Sequence, residues 1–214
     1  MLSVLLCICD TMKKLIILIL LAIPGLASAF RPGEPTDFSN ILSEAAIGRT
    51  QHTVRYDGRY RKISYPNGDV PDHIGVCTDV VIRSYRKLGI DLQKDIHEDM
   101  KDHFDKYPKL WGLSKPDPNI DHRRVPNIQT LFKRKGVLLP ITKNPNDYVV
   151  GDIVSWMLPS NLPHIGIVID SRSENNSKPL IVHNIGAGVV VEDMLFDYQI
   201  TGHYRYYGAL KGSP

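Results

Sequence analysis

Cys77 opens a run with one apolar face. Farther along, His164, His183 and Asn184 sit at the ends of segments that alternate apolar and polar residues. A thiol attacks as its thiolate, and the unpaired N–H groups of a helix's first turn stabilise that anion and lower its pKa. Gly75-Val76-Cys77-Thr78-Asp79 places Cys77 at such a start, with Asp79 in the first turn suiting the same dipole. A histidine at a strand's edge can serve the thiol as general base, and a side chain on the next strand can fix that histidine's tautomer. His183 and Asn184 are adjacent, so period-two alternation puts only one of them on the face of His164. The pattern leaves open which.

The elements that position these groups run helices first and strands afterwards. Asp37-Phe38-Ser39 can cap a helix running through Ile41, Leu42, Ala45, Ala46 and Ile47. Arg59–Tyr65 reads as a short strand and Pro66-Asn67-Gly68-Asp69 as a turn. Cys77–Leu88 is a helix with Val80, Val81, Tyr85 and Leu88 inward and Gly89 at its C-terminal end. Leu92–Phe104 is a charged amphipathic helix, and Val125–Lys135 is another. Between them the segment 107–126, with Pro108, Pro116, Pro118 and Pro126, reads as a long ordered loop, of a length that usually carries function. The period then becomes two, giving strands at Asp152–Met157, His164–Asp170, Leu180–His183, Val189–Glu192 and His203–Tyr207. Helices followed by strands predict an α+β domain with one antiparallel sheet.

The long loop carries Asp121-His122-Arg123-Arg124. Arginine forks suit carboxylates, so Arg123 and Arg124 are candidate substrate clamps; the alternative is that one of them pairs with Asp121 and shapes the loop. Trp111 and Trp156 read as core or cleft wall. His97, Glu98 and His103 lack the spacing that sets two metal ligands on one helical face.

Cysteine usage and charge narrow the class. Met12-Lys13-Lys14, the apolar run Leu15–Ile23 and Ala27-Ser28-Ala29 read as an export signal over residues 1–29, with Met12 as an alternative start. Cys7 and Cys9 lie within it, so Cys77 would be the one thiol of the single domain at 30–214. An exported protein with no disulfide partner for its cysteine needs another use for it. The chain has 26 basic and 23 acidic residues, a formal charge of +3. Only Lys133-Arg134-Lys135 is a tight basic cluster, and it suits the end of a helix, so a nucleic-acid binder is not indicated.

Cys77, then Gly151-Asp-Ile-Val-Ser-Trp156, His164-Ile-Gly-Ile-Val168 and Ile181-Val-His183 resemble the NlpC-type cell-wall cysteine peptidases of the papain-like superfamily. Those run Cys-Ser-Gly, Gly-Asp-Leu-Val, His-Val-Gly-Ile and then a histidine on the following strand. The resemblance implies Cys77 as nucleophile, His164 as base and His183 as orienting residue, with Tyr65 matching a tyrosine beside the oxyanion. Thr78-Asp79 departs from Ser-Gly, which bears on subsite shape, and the loop Ser173–Lys178 lengthens the gap between the histidines. Tyr65-Pro-Asn-Gly-Asp69, Gly75–Arg83, Asp91-Leu-Gln93, Ile120–Asn127 and His183-Asn-Ile-Gly186 are similar to the domain of unknown function 1287 family, whose members are YijF-like. Together these imply a papain-like fold and an exported, periplasmic or secreted, hydrolase that cuts an amide bond in peptidoglycan stem peptides. It would need no metal or organic cofactor, work as a monomer and have no membrane span once the signal is removed. An acyltransferase on the same fold would show an apolar tunnel beside Cys77. A non-catalytic wall-binding module would lack a histidine near the thiol.

Overall fold

The structure is a computed structural model that describes residues 35–175 and 177–208. The export signal read over residues 1–29 lies outside the described residues. Helix α1, Pro35–Arg49, is followed by two-residue strands β1, Arg55–Tyr56, and β2, Ile74–Gly75, which pair in parallel. Next come α2, Cys77–Lys87, α3, Leu92–Asp102, and α4, Val125–Lys135. The remaining strands are β3, Val137–Leu138, β4, Ile153–Leu158, β5, Leu162–Arg172, β6, Pro179–Asn184, β7, Val189–Glu192, and β8, Gln199–Arg205. They form one antiparallel sheet in the order β3-β8-β4-β5-β6-β7. Among the described residues the class is α+β, with four α-helices and an antiparallel sheet, as the change of period implies.

Two expectations need correction. Arg59–Tyr65 is not a strand. Its polar groups are drawn into side-chain bonds instead: Arg59 N and Nε each bind Asp57 Oδ1 at 3.0 Å, and Ile63 N binds Asn119 Oδ1 at 3.0 Å. The last strand begins at Gln199, four residues before His203, because its first half pairs with Trp156 and Met157 of β4. The basic cluster does close α4, but by a tertiary contact: Arg134 Nε lies 2.7 Å from Asp99 on α3.

Apolar residues fall on both faces of the sheet. Ile165, Ile167 and Ile169 of β5 alternate toward the helices, where they join Val80, Val81, Tyr85, Ile128 and Phe132 in the main core. Val154, Trp156, Val168 and Ile181 point the other way and pack with Tyr148, Met194 and Leu195. Removing one such isoleucine from water stabilises the fold by about 1.5–3 kcal/mol, so β5 is clamped from both sides. Trp156 is wholly buried there and donates Nε1–H to the carbonyl of Leu195 at 2.9 Å. It is core, and its ring centre is 6.0 Å from that of His164.

Candidate active site

Helix α2 begins where a buried ion pair fixes it. Asp79, in the first turn, accepts Val76 N–H at 2.7 Å on Oδ2, which satisfies one of the helix's unpaired donors. Its two oxygens also take a fork from Arg123, with Nε and Nη2 each at 2.9 Å. Arg123 Nη2 further donates to Asp57 O at 3.0 Å, and Thr78 Oγ1 donates to Arg123 O at 3.1 Å. Both charged side chains are almost wholly buried. The 3-10 turn Asp121–Arg123 is thereby latched to the start of α2. This corrects one sequence expectation: Arg123, a candidate substrate clamp, has its carboxylate already in Asp79, which anchors the start of α2.

Cys77 forms part of a cleft of about 240 Å³ whose walls include Tyr56, Trp111, Arg124 and Pro163. Burial pushes its thiol up to about 12; the N–H of Ile165 favours the anion, Asp79 opposes it, and the N–H groups of Thr78 and Cys77 favour it. A low-pKa, accessible thiol was expected; the structure holds a neutral one, 4% exposed. Desolvation outweighs the helix N-terminus here. The N–H of Ile165 also locates the thiol, because Ile165 follows His164 directly on β5. Among the described residues no thiol–imidazole hydrogen bond joins Cys77 to His164.

His164 Nε2 lies 3.1 Å from His183 Nδ1, with the rings perpendicular and their centres 5.1 Å apart. Gly166 permits the approach: a Cβ there would fall 2.7 Å from Ile181 Cγ2 and 3.2 Å from His183 Cβ. His183 Nε2 in turn lies 3.0 Å from Glu192 Oε2 on β7. Burial, reinforced by the neighbouring His183, pulls His164 down to about 3, so it is neutral at neutral pH. Its Nδ1 has no hydrogen-bond partner among the described residues. Burial also lowers His183, against the pull of Glu192.

Asn184 takes the opposite face. Its Oδ1 accepts Gly186 N–H at 3.0 Å and its side chain lies near Arg49 and Val80, so His183, not Asn184, meets His164. Tyr65 is not at the cleft; its ring packs edge-on against His97 of α3, centres 4.8 Å apart. The tyrosine beside the thiol is Tyr56, whose hydroxyl is pushed up to about 12 by burial, by Cys77 and by Asp79. Its place follows from the parallel pairing of Tyr56 with Gly75, two residues before Cys77, a pairing of two-residue strands that leaves no periodic signal. Arg124 binds Asp121 through Nη1 at 3.0 Å and lies 4.0 Å over the ring of Trp111. The expected loop-shaping pair is therefore Arg124–Asp121, with the rest of the guanidinium at the cleft wall. Glu192 had drawn no attention in the sequence, where it is one more charged residue closing a valine run.

No group of three or more histidine, cysteine, aspartate or glutamate side chains among the described residues is placed to hold a metal ion. No described helix is long and apolar enough to cross a membrane.

Comparison with known proteins places this arrangement in a family. The chain is 50% identical over 166 residues to "Uncharacterized protein YijF" of Escherichia coli (strain K12), covering 78% of this chain and 80% of that protein. Residues 43–206, which span Tyr56, Cys77, Arg124, His164, His183 and Glu192, match the family described as "Domain of unknown function (DUF1287)". With most of its length matched to that family and half of its aligned residues shared with YijF, the chain belongs to the DUF1287 family.

Proposed function

We propose that the protein is an exported cysteine hydrolase of the papain-like, NlpC-type kind that cuts an amide bond in peptidoglycan stem peptides. The observation that carries this reading is a cleft-lining thiol at a helix start that meets the N–H of Ile165 on β5, the strand that carries His164 and its hydrogen bond to His183 on β6. In the reaction Cys77 Sγ attacks the scissile carbonyl, and its proton passes to His164 Nδ1. His164 then gives that proton to the leaving amine, and water resolves the thioester with the same base. The resting pair is thiol and neutral imidazole, so transfer accompanies attack, and the two groups come into hydrogen-bond contact when substrate excludes water from the cleft. The N–H of Cys77 and the hydroxyl of Tyr56 are the donors nearest the developing oxyanion.

The cleft wall is largely apolar, with Val76, Ile120, Val125 and Pro163, but it opens to solvent, and Arg124, which unlike Arg123 is not spent on a buried carboxylate of α2, favours a peptide with a free carboxylate over an acyl chain. A buried histidine pair anchored on the strand that contacts the thiol favours catalysis over a passive wall-binding module. The test is digestion of purified sacculi by wild type and Cys77→Ala, with released fragments identified by mass spectrometry. New amine and carboxyl ends within stem peptides, made by wild type alone, are expected. Intact sacculi with both proteins would remove the reading.

A further inference from the structure

The proposed base works only if its free nitrogen, Nδ1, is the unprotonated one. A neutral imidazole carries one N–H, and which nitrogen bears it is set by the partner of the other. His164 offers Nε2 to His183 Nδ1, so one of these two nitrogens donates and the other accepts. The far nitrogen of His183 decides between them. It faces Glu192 Oε2 at 3.0 Å, and a carboxylate only accepts.

We infer that Glu192 is a positioning residue that sets the proton pattern of both histidines, resting on the cysteine-hydrolase reading above. Glu192 accepts from His183 Nε2–H. That leaves His183 Nδ1 as an acceptor, so it takes the Nε2–H of His164 and leaves His164 Nδ1 bare. One carboxylate thus dictates two tautomers in series. The logic holds while His183 is neutral, and burial lowers its pKa in spite of Glu192. Were His183 an imidazolium, it would donate from Nδ1 and force the proton of His164 onto the wrong nitrogen. The Glu192 side chain is half exposed, so replacing it removes little packing.

The inference is tested without substrate, by 15N NMR of the imidazole nitrogens in the full chain at neutral pH. In wild type, His164 and His183 both show protonated Nε2 and bare Nδ1. Glu192→Ala turns this single pattern into a mixture. Glu192→Lys, a donor in place of an acceptor, drives both rings toward Nδ1–H and lowers kcat on the order of 100-fold, the scale of general-base assistance, with KM and melting temperature nearly unchanged. A wild type with Nδ1–H on His164, a doubly protonated His183, or unchanged tautomers in Glu192→Lys would each overturn the assignment. Correct tautomers in a protein that releases nothing from sacculi would keep the relay and discard the hydrolase, so the two failures are separable.

Discussion

The sheet carries two histidine–carboxylate systems, and they are finished differently. At one, Asp152 is fully buried at the start of β4 and receives His203 Nε2 at 2.7 Å, Arg205 and the N–H of Val149 at 3.0 Å. The second nitrogen of His203 lies 3.0 Å from Pro140 O, and the ring of Tyr148 stacks on the imidazole at 4.3 Å. Every polar atom of that ring is used. The other system runs Glu192–His183–His164, starts at a carboxylate in solvent and ends at a nitrogen with no protein partner. A closed network can only hold strands together. An open-ended one can hold them and still take a proton, which is the role the proposed function gives His164.

The difference is broken most severely at the open end. Cys77→Ala and His164→Ala should each abolish release of fragments from sacculi, a loss on the order of 10⁴-fold or more, and the double variant should be no worse, because residues acting in one step are non-additive. Losses that multiply in the double variant would separate the two residues. At the closed end and its counterpart under α2, the damage should appear as instability. Asp152→Ala strips His203 and Arg205 of their carboxylate, Arg123→Ala leaves the Asp79 carboxylate buried and unpaired, and each should cost about 3–5 kcal/mol in denaturant unfolding. If either left the unfolding midpoint unchanged, the networks would not be structural.

Acid should reveal the histidines held neutral by burial. His164 is pulled down to about 3 and His122, by burial and by Arg123, to about 4. Their folded pKa values lie below the unfolded value of about 6.5, so the unfolded chain binds more protons and stability falls with pH. Each histidine contributes up to about 3 kcal/mol that is present above pH ~6.5 and fades toward pH ~4. Chemical denaturation from pH 7 to 4 checks this, with His122→Gln flattening part of the slope.

The smallest effect sharpens the substrate assignment. Arg124→Lys should lower kcat/KM roughly tenfold, since an ammonium reproduces neither the planar fork nor the stacking on Trp111. That loss should vanish when the stem-peptide carboxylate is amidated. An equal loss on both substrates would assign Arg124 to the loop alone.

Periodicity made the helices, the class and the sheet legible, because β5 and β6 alternate against two apolar layers and α2 shows one apolar face. The register that brings His183 rather than Asn184 to His164 was legible only as a choice, since alternation fixes relative faces and not which face a strand presents. The tyrosine at the cleft was misread because chain distance from Cys77 says nothing about a two-residue parallel pairing at Tyr56. Glu192 was illegible for a similar reason: its partner is reached across β6–β7, and a lone acidic residue at a sheet edge carries no spacing signal. The neutral thiol was missed because a helix start predicts the favourable dipole but not the burial that outweighs it.

The latch between Arg123 and Asp79 spans 44 positions of chain and braces the start of α2 from a distant segment. The proline-rich stretch is therefore two parts with opposite tolerance to redesign. Residues 114 and 115 are exposed and offer a place for tags or insertions. From Asp117 onward, where Asn119 holds Ile63 and Asp121 holds the N–H of Asp117, added length would pull Arg123 off Asp79. A graft of this site onto another scaffold would have to carry the stretch 117–124 with Cys77, although nothing in that stretch need touch the reacting bond.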